Sequence, residues 1–299
     1  MHPPLSPPTS LREAHVRLSD GRRLWFAEYG VADGTPLLWF PGLPGCSRHA
    51  HPADVDVTRR CGVRLICVER PGFGISDFKP GRRLLDYPAD VAELANSLGL
   101  ARFCIAGVSG GGPALLACAH ELPERVIAVG MIGCGGPPDA PGAMDGMARG
   151  RTRFMALFRH APGLAAVLMR ASGLQRNPER FYRMMVAGLC ESDLQRVMEP
   201  SVWAQRILDV REAMQQGPRG FAWEIHTLLS PWGFALRDIQ VPVELWHGED
   251  DRSTPISMGR HLAAAIPHCN ARFLPGEGHF LCYDHFEEIL NVMKAHASA

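Results

Sequence analysis

The chain has 299 residues, of which 46% are hydrophobic and 21% charged, the proportions of a folded domain with a substantial core. Its 31 basic and 31 acidic residues cancel, which excludes the electrostatic footprint of a nucleic-acid-binding protein. The nine cysteines include no C-x-x-C pair, and Cys67, Cys104 and Cys118 fall inside apolar runs, so they are expected to be buried thiols in a reducing cytoplasm.

The opening "MHPPLSPPTS" has neither a basic nor an apolar segment of a signal peptide and reads as a short extended tail, residues 1–12. Residues 14–30 then read as two strands joined by the Asp20-Gly21 hairpin signal. Two short apolar strands follow at 36–40 and 63–68, with room for a helix between them. Residues 86–100 carry helical spacing through Val91, Leu94, Ala95 and Leu98 and stop at Gly99. "RFCIAGV" is a strand, "GPALLACAHEL" a helix and "RVIAVGMIG" another strand. Wholly apolar strands alternating with helices imply a parallel sheet covered on both faces.

The rhythm changes after Cys134, where "GCGGPPDAPG" breaks the pattern and only helical segments follow. A strand returns at 241–248, followed by a helix, a strand at 271–275 and a final amphipathic helix. The expectation is one core domain, 13–135 and 231–299, interrupted by a helical subdomain at 136–230.

Gly107-Val108-Ser109-Gly110-Gly111 fits G-x-S-x-G between a predicted strand and helix, the context of a nucleophile elbow. Gly107 and Gly111 would allow close helix–strand passage, and the backbone N–H of Gly110 would face a developing oxyanion. Phosphate-binding glycine patterns are absent, which weakens the reading as a phosphate loop. Serine needs a base and an orienting acid, expected downstream in the order acid, then histidine. "ELWHGEDDRSTP" supplies Glu249, Asp250 and Asp251 at the end of one strand, and "PGEGHF" supplies His279 at the end of the next. Both lie at carboxyl ends of strands, where α/β sheets build their sites.

With "GVSGGGP", "ERPGFGISD", "HGEDDRSTP" and "GEGHF" in place, the chain resembles the α/β-hydrolase superfamily, in its cap-bearing, esterase-like branch, over about 24–295. The resemblance implies a mostly parallel eight-stranded sheet with helices on both faces and a helical cap after the sixth strand. It selects Asp251 as the acid, from its spacing after Gly248 and before Pro255, with Asp250 as the fallback and Glu249 as a solvated charge. It also implies a second oxyanion donor, the backbone N–H of Leu43 in "FPGLPG", where Pro41 replaces the histidine common in relatives. Glu69 stands where relatives carry Asp, and Arg70 and Ser76 are read as structural.

The expected chemistry is hydrolysis of a small to medium, largely apolar ester or lactone by Ser109, His279 and Asp251 through an acyl-enzyme. It requires no metal and no organic cofactor. A prolyl aminopeptidase is disfavoured by "PGLPG" and Gly110; carbon–carbon bond hydrolysis and a ligand sensor of the same fold stay open. Expected partners are a small-molecule substrate, without nucleic acid or membrane, with a homodimer admissible. No metal site is expected at His49 and His51, His247 reads as a packed strand end, and Cys46 and Cys134 are expected near the mouth of the site. Met144, Met147, Met155, Met169, Met184 and Met185 are expected to line or fill the cap.

Overall fold

The computed structural model describes residues 10–48, 55–140 and 149–298. His49, His51, Met144, Met147 and most of the expected tail lie outside them. A single eight-stranded sheet organises the chain: β1 (Arg12–Arg17), β2 (Arg23–Gly30), β3 (Thr35–Phe40), β4 (Val63–Val68), β5 (Phe103–Val108), β6 (Val126–Ile132), β7 (Val243–Gly248) and β8 (Cys269–Leu274). Its order is β1-β2-β4-β3-β5-β6-β7-β8, antiparallel at β1–β2 and β2–β4 and parallel elsewhere. Sheet pairing reaches into the expected tail, since Arg12 opens β1 and the Leu11 N–H donates to the Glu28 carbonyl.

Strand alternation divides the core in two. Leu38 and Phe40 of β3 face one layer with α2 (Tyr87–Ser97), α3 (Gly112–Glu121) and α10 (Ile256–Ala265). Leu37 and Trp39 face the other, against α11 (Cys282–Ser298), with α1 (Val55–Arg60) at its margin. Period-two side chains on strands that are apolar throughout require cover on both faces, as the sequence reading expects. All nine cysteines are free thiols.

Among the described residues, six cap helices stand between β6 and β7: α4 (Arg149–His160), α5 (Pro162–Ser172), α6 (Pro178–Val186), α7 (Glu191–Val197), α8 (Pro200–Ala213) and α9 (Arg219–Leu229). They pack on a core of their own that includes Phe158, Phe181, Val210 and Phe221 and extends to Cys46 and Phe73 of the sheet domain. Met169 is buried there, whereas Met184 is exposed, contrary to its expected place in the lining. Among the described residues, no helix is long and apolar enough to cross a membrane.

Candidate active site

β5 ends at Val108, and the chain turns through Ser109–Gly111 before entering α3. Ser109 has φ +53°, the one positive value at a non-glycine among the described residues. The left-handed region costs an L-residue about 1–2 kcal/mol, so the surrounding structure must hold the turn in place. Gly107 of β5 and Gly111 at the start of α3 both make room for the same neighbour. A Cβ at Gly107 would collide with the Phe40 carbonyl, and one at Gly111 would lie 2.6 Å from the same oxygen. The close approach is therefore to the end of β3.

The structure brings Ser109, His279 and Asp251 together from three loops at the carboxyl edge of the sheet. His279 Nε2 lies 2.9 Å from Ser109 Oγ, and its Nδ1 lies 2.7 Å from Asp251 Oδ2. With the proton on Nδ1, Nε2 is free to accept the serine hydroxyl. Asp251 Oδ1 accepts the Ser253 and Thr254 N–H groups at 2.7 and 2.9 Å, while the Thr254 hydroxyl lies 2.7 Å from Oδ2. Burial would raise the Asp251 carboxyl, but the His279 charge and these hydrogen bonds outweigh it and hold the carboxyl below its usual value. The group stays ionised, able to orient the imidazole and stabilise its charged form. Asp250 and Glu249 are exposed, and the carboxylate that reaches His279 Nδ1 is that of Asp251.

The Pro41–Pro44 loop flanks the serine. A Cβ at Gly42 would lie 3.3 Å from Ser109 Cβ, and one at Gly110 would lie 2.8 Å from Leu43 Cγ. Leu43 and Gly110 thus stand on adjacent sides of Ser109. Arg70 braces this loop. Its guanidinium donates to the Pro41 carbonyl and to the Gly42 carbonyl, the latter at 3.1 Å. Glu69 adds bonds to Ser47 and the Ile75 N–H, and its carboxylate fills the space where a Cβ at Gly74 would sit.

Ser109 opens into a pocket of about 130 Å³ between the sheet and the cap. Leu43, Val108, Met185, Val186, Leu189 and Phe280 make its apolar wall, and Tyr182, Arg206, Asp209 and Tyr283 its polar end. Arg206 is paired there with Asp209, which also accepts the Cys46 N–H at 2.8 Å. Burial raises both phenols, so Tyr182 and Tyr283 are neutral hydrogen-bonding groups. A polar notch of about 230 Å³ lies beside α7, but neither Ser109 nor His279 lines it.

Two expectations about cysteine are corrected. Cys46 and Cys134 are buried and neither lines the pocket; Cys282 does. Cys134 lies behind the serine turn, where a Cβ at Gly112 would meet its Sγ at 2.8 Å, and burial pushes its thiol up to about 12. His247 is a packed strand end, as expected, with Nε2 2.8 Å from the Thr254 carbonyl. Among the described residues, no group of three or more His, Cys, Asp or Glu side chains is placed to hold a metal.

Sequence reasoning missed the acids of the cap. Asp193, Asp209 and Glu224 are at most 2% exposed, and each reaches a loop of the sheet domain. Asp193 accepts the backbone N–H groups of His279 and Phe280, Asp209 accepts that of Cys46, and Glu224 pairs with Arg70 and Arg82. The available signal was a lone acid inside an apolar helical run, as in "ILDV" and "AWEI".

The profile of the α/β-hydrolase fold family matches residues 35–286. A 2-hydroxy-6-oxononadienedioate/2-hydroxy-6-oxononatrienedioate hydrolase of Paraburkholderia phymatum is 25% identical over 273 residues, covering 89% of this chain and 87% of its own. A thermophilic esterase from Thermogutta terrifontis superposes with a TM-score of 0.67 at 22% identity, covering 95% of this chain and 97% of its own. The enol-lactonase of Burkholderia xenovorans gives a TM-score of 0.68 at 17% identity, covering 96% of this chain and all of its own. The sheet, the serine turn and the profile match converge, and the chain belongs to the α/β-hydrolase fold family.

Proposed function

We propose that the protein is a serine hydrolase acting on small, uncharged, short-acyl esters or lactones. The observation that carries this reading is the unbroken relay from Ser109 Oγ through His279 to the buried Asp251, at 2.9 and 2.7 Å. His279 takes the Ser109 proton as the hydroxyl attacks the carbonyl, and returns it to the leaving alcohol. The Leu43 and Gly110 N–H groups hold the tetrahedral oxyanion. Water activated by His279 then cleaves the acyl-enzyme. Apart from that water, each step uses only side chains or backbone of this chain.

The pocket supports the substrate class. Its volume of about 130 Å³ lies below the roughly 300–1,000 Å³ usual for drug-sized ligands, which favours a short acyl group. Arg206 is its lining guanidinium and is already neutralised by Asp209, which disfavours a substrate carboxylate there.

Carbon–carbon bond hydrolysis is the second reading, favoured by the name of the Paraburkholderia relative. That relative's named substrate is a dioate, and the small pocket with its compensated cation argues against so large a dianion here. One experiment separates the readings: turnover of p-nitrophenyl esters of increasing acyl length beside small lactones and a 2-hydroxy-6-oxo-dienoate, with Ser109→Ala as the control. Fastest turnover of acetyl or butyryl esters, abolished by the substitution, is the expected result. Ester turnover that survives the serine change, or faster turnover of the dienoate, overturns it.

A further inference from the structure

The base is held from two sides, one of which belongs to the cap. On the sheet side, Asp251 fixes the imidazole through Nδ1. On the cap side, Asp193 in the first turn of α7 accepts the His279 N–H on Oδ2 at 2.9 Å and the Phe280 N–H on Oδ1 at 2.8 Å. We propose that Asp193 is a positioning residue for His279, through which the seating of the cap sets the distance between base and nucleophile. The proposal rests on His279 being the general base.

Three observations support it. Asp193 is 2% exposed, and no cation among the described residues pairs with it: Arg196, one turn on, is engaged by Glu199 and Asp284. A buried carboxylate without a counter-ion is costly unless hydrogen bonds satisfy it, and here two successive backbone N–H groups of the histidine loop do so. Gly278 shows the same contact from the other side. Its φ is not in the left-handed region, so its backbone does not demand glycine, yet a Cβ there would collide with the Asp193 carboxylate. Finally, the two tethers together hold His279 at its backbone N–H and at its imidazole ring. Loss of the backbone tether frees the loop, and a displacement of 1 Å at a reacting group costs about a hundredfold in rate.

The test compares Asp193→Asn, Asp193→Ala and Gly278→Ala with Glu191→Gln, a change at an exposed acid in the same helical turn. kcat and KM are measured with p-nitrophenyl acetate, and the rate of Ser109 labelling is measured with a fluorophosphonate. Asparagine keeps one acceptor, so a fall in kcat of about tenfold is expected, against about a hundredfold for alanine. KM stays within about twofold, labelling slows in parallel and Glu191→Gln behaves as wild type. Gly278→Ala matches Asp193→Ala, and the double variant is no slower than Asp193→Ala, because both changes remove one contact.

The proposal is overturned if Asp193→Asn and Gly278→Ala leave kcat and labelling within about twofold of wild type while lowering only the melting temperature. Additive losses in the double variant overturn it as well. If Asp193→Ala does not fold, the asparagine and Gly278 variants decide. Failure of the underlying serine-hydrolase reading shows separately, as wild-type protein that the fluorophosphonate does not label at Ser109.

Discussion

Arg70 and Glu224 meet 3.2 Å apart in the interior, each 2% exposed, so that a carboxylate on α9 of the cap supports the guanidinium that holds the Pro41–Pro44 loop. Arg82 pairs with the same carboxylate. Replacing Glu224 by Gln leaves two buried guanidinium groups without their counter-ion. Breaking a buried pair from one side costs about 3–5 kcal/mol. Urea unfolding should show a loss of that size, and a change below about 1 kcal/mol would contradict the arrangement.

Asp251→Asn tests the acid end of the relay. An amide keeps the shape but presents N–H or C=O without charge, which allows the wrong imidazole tautomer. Turnover of a short-acyl ester is expected to fall by about 10⁴ with little change in circular dichroism. A loss below tenfold would point to another acid, and the exposed Asp250 would be the next to change.

His247 predicts a pH dependence of stability. It is fully buried, and burial holds its imidazole below the ordinary value. The unfolded chain therefore takes up this proton first as pH falls, starting near about 6.5, while the folded chain resists. Stability from this group is complete above that value and is lost as pH drops toward the lower folded value. Denaturation midpoints should decline from pH 7 to 5, and His247→Gln should flatten that slope. An unchanged slope in the variant would reject the assignment.

Asp209 sets the charge of the pocket. Asp209→Asn preserves an acceptor for the Cys46 N–H but leaves Arg206 uncompensated in the pocket. Preference for a free-acid ester over its methyl ester should rise by about tenfold in kcat/KM, equivalent to about 1.4 kcal/mol. No gain for the acid would mean that Arg206 does not face the substrate.

The strands, their alternation with helices and the three side chains that meet at the carboxyl edge of the sheet were legible because each carries a local signature. Ser109 sits in a glycine pattern, Asp251 and His279 sit in loops after apolar runs, and Gly99 and the Asp20-Gly21 pair punctuate their elements. The reason for Gly107 was not legible, because it depends on Phe40 of a strand far along the chain. Arg70 could be called structural from its loop, but its partners Pro41 and Gly42 appear only once β3 and β4 pair. The cap acids were least visible: helical periodicity marks Asp209 and Glu224 as misplaced charges without saying which loop receives them. Met184 turned outward for a similar reason, since composition supplies material for a lining but not its rotation about a helix axis.

Asp193, Asp209 and Glu224 also govern how the molecule comes apart. Each joins a different part of the inserted helices to the sheet domain through a buried carboxylate that accepts from, or pairs with, groups of that domain. The insertion therefore has no melting transition of its own. Calorimetry should record one cooperative event for the whole chain, and limited proteolysis should not release an intact, active sheet domain stripped of its helices.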